Sequence, residues 1–373
     1  MKIIRAVTVS QSLGFCRGIM IEMRRKGYEM VALSSPGKEL DKLCHDDGFR
    51  TIAVPMKRRM APLHDFMSLW NLIKVFNKEK PDMVHSMTPK AGLLCMMAAW
   101  ITRIPKRVHT FTGLVWPTAT GVSKYILMFT DWLTCACATH VIPEGKGVMN
   151  DLKQHITNKP MHVLGYGNVR GVDLKFWSRE NVEARTFNEI KNETFTFLFV
   201  GRIVKDKGIN ELIEAFMQIR HKIRVRLLLV GKYEDDLDPI SNKARRLIAE
   251  CNDIVWVGEQ HGKKLLAYYA ASDCFVFPSY REGFPNTVLE AGAMNLPSIV
   301  TNINGSREII ENGANGLIIE PKNVEALAFA MTQMVEDSTM REHMADLAGT
   351  MIKTRFEQGF VRKCLIDFYK EII

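Results

Sequence analysis

The segment "CFVFPSYREGFPNTVLEAGAMNLPSIVT", residues 274–301, runs from an apolar strand through a turn-rich loop and a helix into a second apolar strand. Cys274–Phe277 is a short continuous apolar run of the kind buried on both faces of a parallel sheet, and Ser298–Thr301 repeats it. Pro285 suits the first turn of the helix between them, where a missing N–H costs nothing. Strand, helix and strand in this order make a βαβ unit, whose helix opens at the carboxyl end of the first strand. Backbone N–H groups at Asn286, Thr287 and Val288 then offer an anion site. Glu282 precedes the helix and Glu290 lies inside it. Amides for an anion beside carboxylates for hydroxyl groups describe a nucleotide-sugar site.

The same rhythm extends in both directions. "KIIRAVTVS", "EMVALSS", "TIAVPM", "DMVHSM", "RVHTFTG" and "THVIPE" read as strands in the first half, with helical stretches at 17–27, 65–78 and 89–102. "TFLFVGR", "VRLLLVG", "IVWVG", "CFVFPS", "SIVT" and "GLIIEP" follow in the second. The expected fold class is α/β, with two doubly wound, Rossmann-like parallel sheets and a ligand cleft where they face each other. The expected domains are 1–180 at the amino-terminal side and 194–355 after it, the second holding the nucleotide-sugar site. The polar stretch 175–194 holds the boundary, and an amphipathic helix within 356–373 packs back on the first domain.

A chain of 373 residues with 47% hydrophobic and 24% charged residues has ample apolar surface for two cores. Eight cysteines without a CxxC point to reduced thiols, a cytoplasmic protein and neither a zinc site nor a disulfide framework. The opening "MKIIRAVTVS" reads as a strand, its apolar run being too short for a signal peptide. Residues 1–190 hold 27 Lys and Arg against 16 Asp and Glu, a surplus of 11, whereas the rest of the chain is slightly acidic. A basic half calls for an anionic partner, phosphate or an acidic membrane surface. Nucleic acid is excluded for want of any helix-turn-helix, RNP or zinc-finger pattern. No run reaches the roughly 18 apolar residues of a spanning helix. Residues 91–101 and 125–142 are therefore read as buried helices. Lys57-Arg58-Arg59 with Lys74, Lys78 and Lys80 leave open a role at the membrane surface.

"FLFVGRIVKDKGINELIEAF", residues 197–216, is a strand, a Gly201-Arg202 turn and a helix with Lys207 on the connection. Helix N–H groups, the positive end of the helix dipole and two cationic side chains converge there, which favours phosphate. GxxxxGK[ST] is absent, so this is no P-loop, and "GYGNVRG" (165–171) does not match GxGxxG.

With these blocks in place, the chain resembles the family 4 retaining glycosyltransferases of the GT-B fold. "GR", the following "KG", "PSYREGFPNTVLEAGAMNLPSIVT" and "GSREIIENGANGLIIEP" carry the likeness, with "VHSMTPKAGLL", "VHTFTG" and "RGVDLKFW" in the first half. The likeness is greatest to bacterial members that build capsule, O-antigen or other glycans on a lipid diphosphate. It implies that Arg202 and Lys207 clamp the diphosphate. Glu290 would accept from the ribose hydroxyls, and Glu282 with the backbone of Gly283 and Phe284 would hold the transferred sugar. Asn286, Thr287 and Val288 would help bind phosphate, and Gly201 and Gly258 would line the donor site, Gly258 at the base pocket. On the acceptor side the candidates are Gly14, His85, Lys90, His109 and Thr112. Thr112 stands where the family often has a histidine, a role open to Thr112 or His109.

The implied reaction moves a sugar from a nucleoside diphosphate, UDP before GDP, to a hydroxyl of a lipid-diphosphate-linked saccharide with retention of configuration. UDP-N-acetylhexosamine or UDP-hexose is the expected donor. No metal or other cofactor is expected: Asp236-Leu237-Asp238 matches the DxD of another glycosyltransferase fold but follows "LLLVGK", where the family carries a solvated loop. The enzyme would work in the cytoplasm, peripherally at the inner face of the plasma membrane, with binding that weakens in salt. A nucleotide-sugar epimerase or a non-catalytic nucleotide-sugar-binding protein would fit the same architecture. Incubation with donor alone separates the epimerase from a transferase, because only an epimerase converts the donor without a second substrate, and the binding protein would bind the nucleotide-sugar without turnover.

Overall fold

A computed structural model describes residues 1–236 and 238–373. The chain divides into two compact units, Met1–Arg170 with Val361–Ile373, and Gly171–Phe360.

In the first unit, strands alternate with helices: β1 (Lys2–Ala6), α1 (Gly14–Arg25), β2 (Glu29–Ser34), α2 (Lys38–His45), β3 (Arg50–Ala53), α3 (Pro62–Glu79), β4 (Met83–Met87), α4 (Pro89–Ile101), β5 (Lys106–Phe111), α5 (Gly121–Cys137), β6 (His140–Pro143) and α6 (Lys146–His155). The strands form one parallel sheet in the order β3-β2-β1-β4-β5-β6. Both faces of the sheet are covered, so neighbouring residues on one strand enter different cores. Ile4, Val31 and Val84 pack under α3, α4 and α5. Ile3, Ala32 and Met83 pack on the other side with Met20 and Met23 of α1. Pro62 and Pro89 each open a helix, as their fixed φ and missing N–H allow.

The second unit holds α7 (Ala184–Ile190), β7 (Phe195–Val200), α8 (Ile209–Arg220), β8 (Val225–Val230), α9 (Asn242–Glu250), β9 (Ile254–Trp256), α10 (Gly262–Ala270), β10 (Cys274–Phe277), α11 (Asn286–Ala293), β11 (Ser298–Thr301), α12 (Ser306–Ile309), β12 (Gly316–Ile319), α13 (Val324–Glu336) and α14 (Ser338–Arg355). Its six parallel strands run β12-β11-β10-β7-β8-β9. Phe199 and Phe277 stack at 5.9 Å, tying β7 to β10, and Phe275 stacks on Phe277 along β10 at the same distance. Each such ring, fully buried, contributes about 1.5–3 kcal/mol. Asn323 and Asp337 cap α13 and α14 by accepting backbone N–H groups at 2.9 and 2.8 Å.

The division between units falls at Arg170, ahead of the expected 175–194. Val172 donates to the Phe356 carbonyl (2.8 Å) and accepts from Gln358 (2.9 Å), and Trp177 joins the second core, so residues from 171 onward belong to the second unit. The last helix, α15 (Gln358–Ile372), sends Leu365, Ile366 and Tyr369 into the first unit's core. Residues 91–99 of α4 are largely buried, as expected, whereas Trp100 and Ile101 at its end are exposed. Residues 125–137 are not a buried helix: α5 buries Thr134, Cys135 and Cys137 and leaves Tyr125 and Phe129 exposed.

Candidate active site

In the second unit the chain passes from β7 to β8 and β9 on one side, and returns through β10 to β11 on the other. β7 and β10 are adjacent, and their connections leave in opposite directions. The crevice at their carboxyl ends is the place where open α/β sheets bind ligands. The two loops that flank it are 201–208 and 278–285.

Two glycines let these loops meet. Gly208 has φ +70°, and a Cβ there would lie 2.1 Å from the Pro278 carbonyl oxygen. Gly305, φ +75°, brings the loop after β11 against Gly283, whose carbonyl oxygen would be 2.3 Å from a Cβ. Both need glycine for conformation and for space. The turn at 205–207 is held further by Asp206, whose carbonyl accepts from the Tyr280 N–H (2.8 Å) and whose carboxylate pairs with Arg281 (3.1 Å).

The consequence is that Lys207 forms an ion pair with Glu282, 75 residues on in sequence. Ser279 Oγ donates to the same Glu282 oxygen at 2.8 Å, and the Lys207 ammonium lies 5.5 Å from the centre of the Phe277 ring. Both charged side chains are largely shielded from solvent, at 12% and 16% exposed. Arg202 pairs with Glu234 at 2.8 Å and lies 4.0 Å from Asp206. Burial lowers the affinity of Arg202 for its proton, and the carboxylates of Glu234, Asp206 and Glu282 more than offset this. Arg202, Lys207 and Glu282 are thus brought into one electrostatic cluster.

The helix that follows is α11. Pro285 is its cap residue, one position earlier than expected, and its carbonyl accepts the Val288 N–H at 3.2 Å. Val288 therefore turns its N–H into the helix, which corrects its assignment to the phosphate-binding amides; Asn286 and Thr287 lie in the first turn ahead of it. Glu290 is buried and accepts from the Tyr269 hydroxyl at 3.3 Å. Phe284 is buried beside Gly283 and packs on Phe356 with ring centres 5.4 Å apart. Gly201 follows β7, and Gly258 (φ +71°) follows β9 next to Trp256, whose indole N–H donates to the Gly231 carbonyl at 2.8 Å. Tyr233 lies edge-on to Trp256 at 4.8 Å.

Of the Asp236-Leu237-Asp238 stretch, Leu237 lies outside the described residues. Asp238 accepts from the Asp206 N–H at 2.6 Å and from the Lys205 N–H at 3.1 Å, so it braces the turn that carries Lys207. Among the described residues, no group of three or more His, Cys, Asp or Glu is placed to hold a metal ion.

In the first unit the corresponding switch point lies between β1 and β4. Gly14, exposed at the start of α1, and Lys90, at the start of α4, lie on the loops there. Lys90 pairs with Asp65 at 2.5 Å and donates to the Arg59 carbonyl at 3.0 Å. Thr112, half-buried, follows β5. The two histidines are corrections, because both are core groups. His85 Nδ1 accepts from the Arg5 guanidinium and lies 2.6 Å from the Tyr369 hydroxyl, and Nε2 lies 2.7 Å from Thr110 Oγ1. His109 bonds Ser86 at 2.8 Å and packs so closely on Gly92 that a Cβ there would lie 2.3 Å from the ring.

Burial holds the His85 ring well below the usual histidine range, helped by the Arg5 charge, and lowers His109 to about 3. Both rings titrate near 6.5 once unfolded. The unfolded chain then binds more protons below that pH, and stability falls as the solution is acidified. Each ring should remove up to about 1.4 kcal/mol per pH unit below 6.5. Urea midpoints at pH 7.5 and 5.5 check this: the midpoint should drop, and His109→Gln should flatten the dependence.

Sequence reading missed the partners that fix the charged groups: Glu234 for Arg202, Ser279 for Glu282 and Tyr269 for Glu290. It also missed Thr88, a non-glycine residue at φ +72° that ends β4; its Oγ1 lies 2.7 Å from Thr8 Oγ1 across the switch point. Strained backbone of this kind concentrates at functional sites. "HSMTP" contained a signal, since a residue before proline avoids the helical region.

Comparison with known proteins gives concordant results. Residues 181–349 match the family described as Glycosyl transferases group 1, and residues 15–167 match the Glycosyl transferase 4-like domain. The capsular polysaccharide biosynthesis glycosyltransferase CapM of Staphylococcus aureus is 33% identical over 380 residues, spanning 100% of this chain and 97% of its own. The UDP-Gal:alpha-D-GlcNAc-diphosphoundecaprenol alpha-1,3-galactosyltransferase of Escherichia coli is 28% identical over 312 residues, 79% of this chain and 77% of its own. The structure of Anabaena Alr3699/HepE in complex with UDP and glucose superposes with a TM-score of 0.82 at 17% identity, with both chains fully covered, and shows that the fold is shared.

Proposed function

The chain belongs to the glycosyl transferases of group 1, and we propose that it moves a sugar from a UDP-sugar to a hydroxyl of a lipid-diphosphate-linked saccharide, with retention of configuration and without a metal. The observation that carries this reading is the Lys207–Glu282 pair at the β7/β10 crevice, with Arg202 on the same loop. The E. coli relative, named for a UDP-galactose donor and a diphosphoundecaprenol-linked acceptor, supports the substrate classes. The name of the S. aureus relative supports a place in capsule or related polysaccharide assembly. UDP-hexose and UDP-N-acetylhexosamine are the donors proposed, and the enzyme works peripherally at the cytoplasmic face of the plasma membrane.

When the bond from the sugar C1 to the β-phosphate oxygen breaks, negative charge grows on the diphosphate and positive charge on the sugar ring. Arg202, Lys207 and the α11 amides at Asn286 and Thr287 meet the first, and Glu282 stabilises the second. Glu290 receives the ribose hydroxyls, and Gly258 with Gly201 lines the nucleoside. The acceptor hydroxyl attacks C1 on the face that the leaving group vacates. Its proton passes to the departing phosphate oxygen, which yields the glycoside and UDP. Preorganised donors aimed at developing charge are each worth about 10²–10³ in rate. Gly14, Lys90 and Thr112, with Thr88, form the acceptor-side candidates in the first unit.

Thermal-shift screening against UDP-, GDP- and ADP-sugars, followed by turnover on lipid-diphosphate saccharides with EDTA present, tests the reading. Stabilisation by UDP-sugars and an EDTA-resistant product of unchanged anomeric configuration are expected. Inversion, or conversion of the donor without an acceptor, would overturn it.

A further inference from the structure

Two helices of the first unit turn apolar stripes outward. On α3, Leu63, Phe66 and Trp70 recur at helical spacing, and on α5 Val122, Tyr125 and Phe129 do the same. All six are between 54% and 82% exposed. The opposite faces of the same helices supply Leu72, Phe76 and Cys135 to the core, so the stripes are additional to what folding requires. The buried α4 packs between the two helices, which places both on one layer, and its exposed Trp100 lies at the end of that layer. Large apolar side chains exposed in this number on one layer mark a docking face.

Charge identifies the occupant. Lys57, Arg58 and Arg59 are exposed just ahead of α3, and Lys74 and Lys78 are exposed along it, with the Lys74 ammonium 5.6 Å from the Trp70 ring centre. The three carboxylates on the two helices are engaged or half-buried. Asp65 pairs with Lys90, Glu79 is buried against Lys2 and Arg50, and burial pushes the half-buried Asp131 up to about 7. Aromatic and aliphatic groups rimmed by cations match a bilayer interface with anionic headgroups. A second copy would set like charges against each other across a two-fold axis. No helix among the described residues is long and apolar enough to cross a membrane, so this face would lie on the bilayer.

We propose that the outward faces of α3 and α5 form a membrane-docking surface that inserts its aromatic and aliphatic side chains among anionic lipid headgroups. This deepens the reading of a lipid-linked acceptor and rests on it for its purpose, though not for its test. It also changes the expected salt response: cations alone would release in salt, whereas inserted apolar groups keep a salt-resistant component.

The experiment is co-sedimentation of the full chain with vesicles that contain no acceptor, made of phosphatidylcholine alone or with about one-third phosphatidylglycerol. The wild type should bind the anionic vesicles, retain measurable binding when KCl rises from about 0.1 to about 0.5 M, and show a blue-shifted tryptophan emission. The triple variant Phe66→Ser, Trp70→Ser, Phe129→Ser should lose about a hundredfold in partitioning. Its thermal midpoint and its stabilisation by UDP should stay at wild-type values, because the changed residues are exposed and lie in the first unit. Wild-type partitioning by the folded triple variant would overturn the proposal. So would a lipid-free dimer that the triple variant dissolves, which would give the face to a second copy. Absence of UDP binding in a chain that still docks would count against the transferase reading and leave this one standing.

Discussion

Lys207→Ala should lower glycosyl transfer by about 10²–10³ while the protein stays folded, with a lower thermal midpoint because the shielded Glu282 carboxylate loses its partner. The ammonium lies on a loop and contributes no apolar surface to the core, and Ser279 still donates to the Glu282 carboxylate left behind, so the loss is local and the fold persists. Its loss from the crevice is another matter. A unit charge at about 4 Å from a diphosphate oxygen supplies about 4 kcal/mol at an effective dielectric near 20, which is the scale of the expected rate loss. Because the charge is needed both for holding UDP and for the growing charge on the leaving group, affinity for UDP and kcat should fall together. Turnover and UDP titration on the same preparation check this, and near-wild-type turnover would remove Lys207 from the mechanism.

Glu282→Gln should reduce kcat by a comparable factor, about 10²–10³, yet leave UDP affinity unchanged or raise it severalfold. Glu282 is the partner of Lys207, and a neutral amide no longer competes with phosphate for the ammonium. The role proposed for the carboxylate lies with the sugar, so only the transition state loses by its removal. Isothermal titration with UDP beside steady-state turnover separates the two residues: one variant loses both quantities, the other only the rate. A parallel loss of UDP affinity in Glu282→Gln would assign Glu282 to the phosphate site instead of the sugar.

The legible part of this protein was the part written in short range. Runs such as "FLFV" and "LLLV" have few options besides a buried parallel strand, and the twelve strands fall where those runs are. Lys207 and Glu282 could be singled out because each lies on the loop that leaves such a strand, and strand ends converge. What escaped was whatever depended on a third dimension. Ser279 and Glu234 look like ordinary loop residues until Gly208 and Gly231 bring their loops against the one after β7. His85 and His109 misled for a related reason. A strand buried on both faces gives no alternation to tell a core histidine from one at the mouth of a site. In α5 the misreading ran the other way: "YILMF" is apolar all round, and sequence alone does not say which part of that circumference the sheet will cover.

Arg5 on β1 is buried with no carboxylate partner among the described residues; it donates to Tyr369 at 2.8 Å and to His85, and touches the sulfurs of Cys16 and Met87 at 3.3 and 3.0 Å. Tyr369 comes after the whole second unit in the chain. A guanidinium made before the second unit thus waits for a phenol made after it, and buried cations left unpaired are costly. Order of manufacture and order of completion are therefore reversed: the half that emerges first from the ribosome is the half whose interior closes last.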